Sequence, residues 1–262
     1  MKKGFTLIEL MTAMTILAVM VLMMVMVFNN TDKVWFLGTG RAINCTAGRA
    51  AMNLLSHDLQ YAAADDVLTF ATRQDRKNVS TFAFKHDEAC FVSIQNDSKD
   101  GNRAVREMFY YVTNAVVSGV GQPGSLMRGY YSTDITNMVG VTTYTNHCYF
   151  NTNWFADTGS TPPGVGRPGN ARSIVEHVTA FSVYSPTNKS GRCPSAYYST
   201  ANSNALPEYV DVYLEVLDDQ IADQVSQWPQ ANKAALPAFV ERNARRYTTR
   251  VYFQNRQGYK NR

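Results

Sequence analysis

The chain opens on a long apolar run. From Phe5 to Phe28 the only formal charge is Glu9. As a helix rising about 1.5 Å per residue, that run reaches about 36 Å, enough to cross a hydrocarbon core of about 30 Å. A polar interval, Asn29–Lys33, follows, where Thr31 or Asp32 is suited to cap a new helical segment. Over 34–64, Cys45, Met52, Leu55, Leu59 and Ala62 recur at three-, four- and seven-residue steps, with Arg49, Ser56 and Gln60 opposite. This spacing predicts an amphipathic helix packed on the protein's own sheet and weakened by Gly38, Gly40 and Gly48.

From Val79 onward the period changes to that of strands. Expected strands cover Val79–Phe84, Cys90–Gln95, Val105–Val117, Leu126–Ser132, Thr142–Phe150, Ile174–Ser185, Tyr209–Leu217 and Tyr247–Gln254. The clearest is Tyr209–Leu217, where Val210, Val212, Leu214 and Val216 alternate with Tyr209, Asp211, Tyr213 and Glu215. Stretches rich in Gly, Pro, Ser and Thr at Thr158–Asn170 and Ser185–Asn204 read as surface loops. Gln220–Asn243, interrupted by Pro229 and Pro237, reads as a short helical insertion before the last strand.

Composition sharpens the division. Seven of the 11 Met lie in the first 28 residues, whereas all 15 Tyr and all four Cys lie beyond them. The whole chain has 262 residues and a formal charge of +4, too weak a balance to argue for nucleic acid. A hydrophobic N-terminal device is joined to an ordinary water-facing domain, and the length is ample for a buried core. Lys2 and Lys3 before the run put the N-terminus on the cytoplasmic side by the positive-inside rule.

Three accounts of the run compete. A secretory signal peptide needs a shorter apolar region and a small-x-small cleavage site, and Phe28-Asn29-Asn30-Thr31-Asp32 is a poor one. A plain membrane anchor explains the length but not Glu9, since an acid at the centre of a spanning helix costs roughly 2.5–3.5 kcal/mol on insertion scales. The third account uses every residue. The string KKGFTLIEL resembles the class III signal of type IV pilins and pseudopilins: a short basic leader, Gly, Phe, then Glu as the fifth residue after the Gly.

That resemblance implies that prepilin peptidase cuts between Gly4 and Phe5, that Phe5 becomes N-methylated, and that Glu9 serves assembly. The chemistry is consistent. An α-amino group with a pKa near 8 is largely protonated at neutral pH, and a carboxylate four residues on offsets its charge within one helix or between neighbours. The implied regions are a leader (1–4), a transmembrane helix (5–28), a helical stem (29–64) and a β-rich extracytoplasmic head (65–262). The implied fold is α+β, a long N-terminal helix packed on an antiparallel sheet.

Three head segments carry a second resemblance. Ile174-Val-Glu-His-Val-Thr-Ala-Phe-Ser-Val-Tyr184, LPEYVDVYLEVLD at Leu206–Asp218, and Arg246-Tyr-Thr-Thr-Arg-Val-Tyr-Phe253 follow one another as in the J-type minor pseudopilin of type II secretion. The chain is longer than that pattern at Met138–Gly169 and at Gln220–Asn243. The resemblance implies a structural subunit rather than an enzyme, in the bacterial inner membrane with its head in the periplasm. Its partners are then prepilin peptidase and other pseudopilins or pilins. A minor type IV pilin of a pilus or DNA-uptake machine shares the same N-terminus, and a membrane-tethered ligand-binding head is a reading of a different class.

No catalytic, cofactor or metal site is expected. His57, His86, His147 and His177 occur singly, and no zinc spacing, P-loop or nucleophile elbow is present. Asn96–Gly101 with Glu107 imitates a calcium loop in part, but an Asp-Gly hairpin turn is the simpler account. Cys45, Cys90, Cys148 and Cys193 lie on the oxidising side of the membrane, and four cysteines allow three connectivities. The preferred one joins Cys148 to Cys193 across the Gly/Pro-rich loop and Cys45 to Cys90.

Overall fold

The computed structural model describes residues 6–65, 68–74, 85–96, 103–113, 116–117, 120–121, 123–133, 154, 167–185, 197–198 and 206–254. The chain divides into two units, Met1–Ile43 and Asn44–Arg262. One helix, α1 (Leu7–Gln60), runs without interruption through 54 residues. The break expected at Asn29–Lys33 is absent. The Thr31 hydroxyl donates to the Val27 carbonyl at 2.8 Å, so it is satisfied inside the helix instead of capping a new one.

In the first unit the described apolar side chains are exposed: Leu7, Met23, Phe28 and Trp35 are all more than half so. In the second unit the helix becomes one-sided. Ala51, Met52, Leu55 and Leu59 are buried, at the spacing of a single helical face, while Arg49 and Asn53 stay exposed.

Eleven strands follow among the described residues: β1 (Ala62–Ala63), β2 (Ala71–Gln74), β3 (Lys85–Asn96), β4 (Arg103–Thr113), β5 (Val116–Val117), β6 (Val120–Gly121), β7 (Gly124–Thr133), β8 (Arg172–Tyr184), β9 (Tyr197–Tyr198), β10 (Tyr209–Val216) and β11 (Arg245–Tyr252). Nine of them form one sheet whose path is β11-β10-β8-β7-β4-β3-β2-β9, with β1 pairing on β3, and β5–β6 is a separate ribbon. All pairings are antiparallel except a short parallel contact of β3 with β8 at Lys85↔Ala180 and His86↔Phe181. The architecture is α+β, as expected. The expected strands at Val79–Phe84 and Thr142–Phe150 lie outside the described residues.

Alternation along the strands sorts side chains onto two faces. Ala89 and Phe91 of β3 and Met108, Tyr110 and Val112 of β4 share one core with the helix residues Leu55 and Leu59. Their neighbours in sequence point the other way. Cys90, Val92, Phe109 and Tyr111 form a second core with Trp154, whose ring meets that of Phe109 edge-on at 5.0 Å.

That sorting corrects one disulfide expectation: Cys45 and Cys90 are not bonded to each other. Cys90 belongs to the face turned away from α1, and Cys45 sits on α1 beside the Tyr247 hydroxyl. Cys148 and Cys193 lie outside the described residues.

The insertion between β10 and β11 consists of α2 (Asp219–Ser226), a 3₁₀ segment (Gln230–Ala235) and α3 (Leu236–Asn243), with Pro237 in the first turn of α3, where its missing N–H costs nothing. Leu217, Ala222, Val225, Leu236 and Val240 give it a small core of its own. Gly48 is no mere helix weakener. A Cβ there would come within 2.6 Å of the Tyr247 ring, so glycine lets β11 approach the helix closely, whereas Gly38 and Gly40 face open space.

Candidate functional site

The first turn of α1 is built by Thr6 and Glu9. The backbone N–H of Thr6 donates to Glu9 Oε2 at 2.9 Å, and its hydroxyl donates to the same oxygen at 3.0 Å. In return the Glu9 N–H reaches Thr6 Oγ1 at 3.4 Å and the Thr6 carbonyl at 3.1 Å. This reciprocal arrangement is a capping box, in which a Thr and a Glu three residues later satisfy N–H groups that the helix start leaves unpaired. The carboxylate also sits at the positive end of the helix dipole. Glu9 is thus held at the helix mouth by its own chain.

Thr6 is the residue that sequence reasoning missed. The signal was there, since Thr-x-x-Glu before an apolar run marks a helix N-terminus. Further along, the Thr12 hydroxyl donates to the Glu9 carbonyl at 3.0 Å and the Thr15 hydroxyl to the Thr12 carbonyl at 2.8 Å. Each hydroxyl in the apolar run is therefore satisfied within the helix, which a lipid environment demands. By length and composition α1 is able to cross a membrane. Lys2, Lys3, Gly4 and Phe5 lie outside the described residues.

Within the second unit the helix is fastened by polar ties at two levels, first to the start of α2 and then to the sheet. Near the start of the second unit, Asn44 Nδ2 donates to Asp219 Oδ1 at 3.0 Å, and His177 Nε2 lies 3.3 Å from the same oxygen. His177 has a φ of 58°, the left-handed region that a non-glycine residue seldom adopts, at an irregular stretch of β8. The second tie lies deeper. Asp58 Oδ2 accepts from the Tyr110 hydroxyl at 2.5 Å and from Arg128 Nε at 2.7 Å. Burial pushes the Tyr110 hydroxyl well above the ordinary phenol range, and the Asp58 charge pushes it the same way. It stays a donor.

No cluster of three or more His, Cys, Asp or Glu able to hold a metal occurs among the described residues. His57, His86 and His177 stand on different elements, and His147 lies outside the described residues. Glu107, the last position of the partial calcium pattern, is buried mid-strand on the second core's face, while residues 97–101 of that pattern lie outside the described residues.

Residues 1–25 match the prokaryotic N-terminal methylation motif. No curated protein and no solved structure matches the chain.

Proposed function

We propose that this chain, a member of the type IV pilin and pseudopilin family, is a minor pseudopilin: a structural subunit placed at or near the tip of a type II secretion pseudopilus. Its N-terminus is of the kind processed by prepilin peptidase and assembled with other pilins. The observation that carries the assembly reading is the combination at α1: a lone carboxylate held at the helix mouth, followed by apolar side chains from Leu7 to Phe28 that are exposed among the described residues. A plain anchor needs the apolar surface but has no use for the acid.

In this reading cleavage falls between Gly4 and Phe5, behind Lys2 and Lys3, and Phe5 is N-methylated. Glu9 then balances the new amine, either in its own helix or against a neighbour, since an unpaired charge in low dielectric is costly. The leader is 1–4, the span 5–28, the stem 29–64 and the head 65–262, with the head in the periplasm. Support for the secretion machine comes from the three segments that resemble the J-type pattern, which are β8, β10 and β11, neighbours in the sheet.

The insertion α2–α3, with a core of its own, departs from that pattern and keeps a minor type IV pilin as the second reading. The first test is mass spectrometry of the mature N-terminus. A peptide beginning at N-methylated Phe5 is expected, and one beginning at Met1 in membranes with active prepilin peptidase would overturn the reading. Co-purification with pseudopilins rather than with pilus subunits separates the two machines.

A further inference from the structure

Two residues of α1 bracket the apolar run with different chemistry. Glu9 is held at the first turn, and Trp35 lies 26 residues further along the same uninterrupted helix. At about 1.5 Å per residue that separation is about 39 Å. A bilayer measures about 40–45 Å across its headgroup regions, against about 30 Å for the hydrocarbon alone. Trp35 is 72% exposed, an unusual state for so large a ring. The other two tryptophans are housed by the head: Trp154 is buried, and the half-buried Trp228 donates its indole N–H to the Asn232 carbonyl at 2.9 Å. The apolar surface reaches Trp35 on one side of the helix. Met24, Phe28, Thr31 and Trp35 follow at steps of four, three and four, the spacing of a single face, and Met24 and Phe28 are likewise largely exposed. Thr31 does not break that face, because its hydroxyl is satisfied by the Val27 carbonyl at 2.8 Å. Asn29, Asn30 and Lys33 fall on the other side, with Asp32 at the margin.

We infer that Trp35 is an interfacial anchor, seated in the headgroup layer of the bilayer on the side of the head, so that membrane contact continues along one face of α1 past Phe28. Depth selects the occupant. An acid costs least at the edge of the hydrocarbon, so Glu9 fixes one end of the span at one boundary. The separation of about 39 Å then brings Trp35 to the boundary opposite. Helical side chains lean toward the N-terminus, so the ring covers the turn before Trp35 and reaches back toward the membrane. Tryptophan suits this layer because its ring is apolar while its one N–H seeks a polar partner, and it is enriched at membrane–water boundaries. Asn29, Asn30 and Lys33, round the other side, meet the water and phosphate of the same layer. A neighbouring helix accepts an apolar side chain at any depth and gives no reason for the separation from Glu9. The inference rests on α1 being a membrane span, but not on the subunit entering a filament.

The test reconstitutes the full chain in phosphatidylcholine vesicles, dilute enough that copies do not share a vesicle. Some of the lipid carries bromine, either close to the headgroup or near the chain end, and tryptophan fluorescence is the readout. Subtracting the emission of Trp35→Phe, a conservative change at an exposed position, isolates Trp35 from Trp154 and Trp228. Loss of Trp35 emission is expected, and more of it with bromine close to the headgroup. A greater loss from chain-end bromine, or none from either lipid, would overturn the anchor. Phe28→Trp in the Trp35→Phe background separates the causes. If that probe is quenched where Trp35 is not, the span stands and the anchor alone fails; if neither is quenched, the span fails with it. Trp35 emission that ignores bromine but moves to shorter wavelength as copies are crowded would assign the face to a neighbouring helix and overturn the lipid contact. N-terminal trimming is read separately and bears on none of these outcomes.

Discussion

Asp58, on the helix, and Arg128, on strand β7, form an ion pair of 2.7 Å in which the Asp58 side chain is only 2% exposed. Seventy residues of sequence separate them. The pair, with the Tyr110 hydroxyl as third member, pins the C-terminal part of the helix to the middle of the sheet.

Removing one partner of a buried pair leaves the other charge without compensation, a loss of about 3–5 kcal/mol. Asp58→Ala is therefore expected to destabilise stem and head together, expressed from Asn30 onward, by that order. Tyr110→Phe should cost less, about 1–2 kcal/mol, as it deletes one hydrogen bond and no charge. Urea unfolding measures both, and it also checks that the head unfolds as one cooperative unit. A broad, non-cooperative melt of the unmutated head would remove the basis of the comparison and of the head's independence.

Asp87 predicts a pH dependence. Burial raises its carboxyl from the ordinary 3.8 to about 6, against the opposing hydrogen bonds from the Ser182 hydroxyl and, at 3.2 Å, the Val183 N–H. A raised folded pKa means that the folded state binds the proton more tightly than the unfolded chain does. The contribution is fully present below about pH 4 and is lost as pH rises through 6, on the order of 3 kcal/mol in all. Asp87→Asn keeps an acceptor oxygen without the charge. It should be more stable than the wild type at pH 7, and the gap should close toward pH 4. Parallel stability curves for the two proteins would contradict this.

Glu9 separates an assembly subunit from an anchor. Glu9→Leu should insert and be trimmed normally but fail to enter filaments, because the Phe5 amine loses its counter-charge. Glu9→Gln refines the test, since a glutamine can still complete the capping box with Thr6. If charge is what assembly uses, Glu9→Gln should fail like Glu9→Leu, with Glu9→Asp intermediate. Recovery of filament partners at the wild-type level by Glu9→Leu would restore the anchor reading.

Gly48 offers a packing test. Alanine is the better helix former by about 1 kcal/mol, so Gly38→Ala and Gly40→Ala, which meet open space, should be neutral or stabilising. At Gly48 the added methyl meets the Tyr247 ring, and overpacking of this kind costs typically about 1–3 kcal/mol. Gly48→Ala should lower the melting temperature of the head. In a Tyr247→Ala background the same substitution should cost nothing, and an equal cost in both backgrounds would show that Tyr247 is not the obstacle.

What the sequence determined by itself is local. The apolar run, the KKGFTLIEL signal and the helical face through Met52, Leu55 and Leu59 are written at spacings of a few residues, where one periodicity decides the outcome. The alternation of Tyr209–Val216 likewise gave its strand nearly to the residue. Tertiary structure decided whatever depends on which strands become neighbours. Cys90 reads as the preferred partner of Cys45 until the pleat turns it toward Trp154. Asp58 reads as one more polar helix residue until β4 and β7 bring Tyr110 and Arg128 against it. Arg128 and Arg172 are unremarkable 44 residues apart in sequence, and only the antiparallel register of β7 with β8 sets the two charges face to face. Pairing across long stretches is chosen by the burial of both sheet faces at once, a property of the whole core that no local window contains.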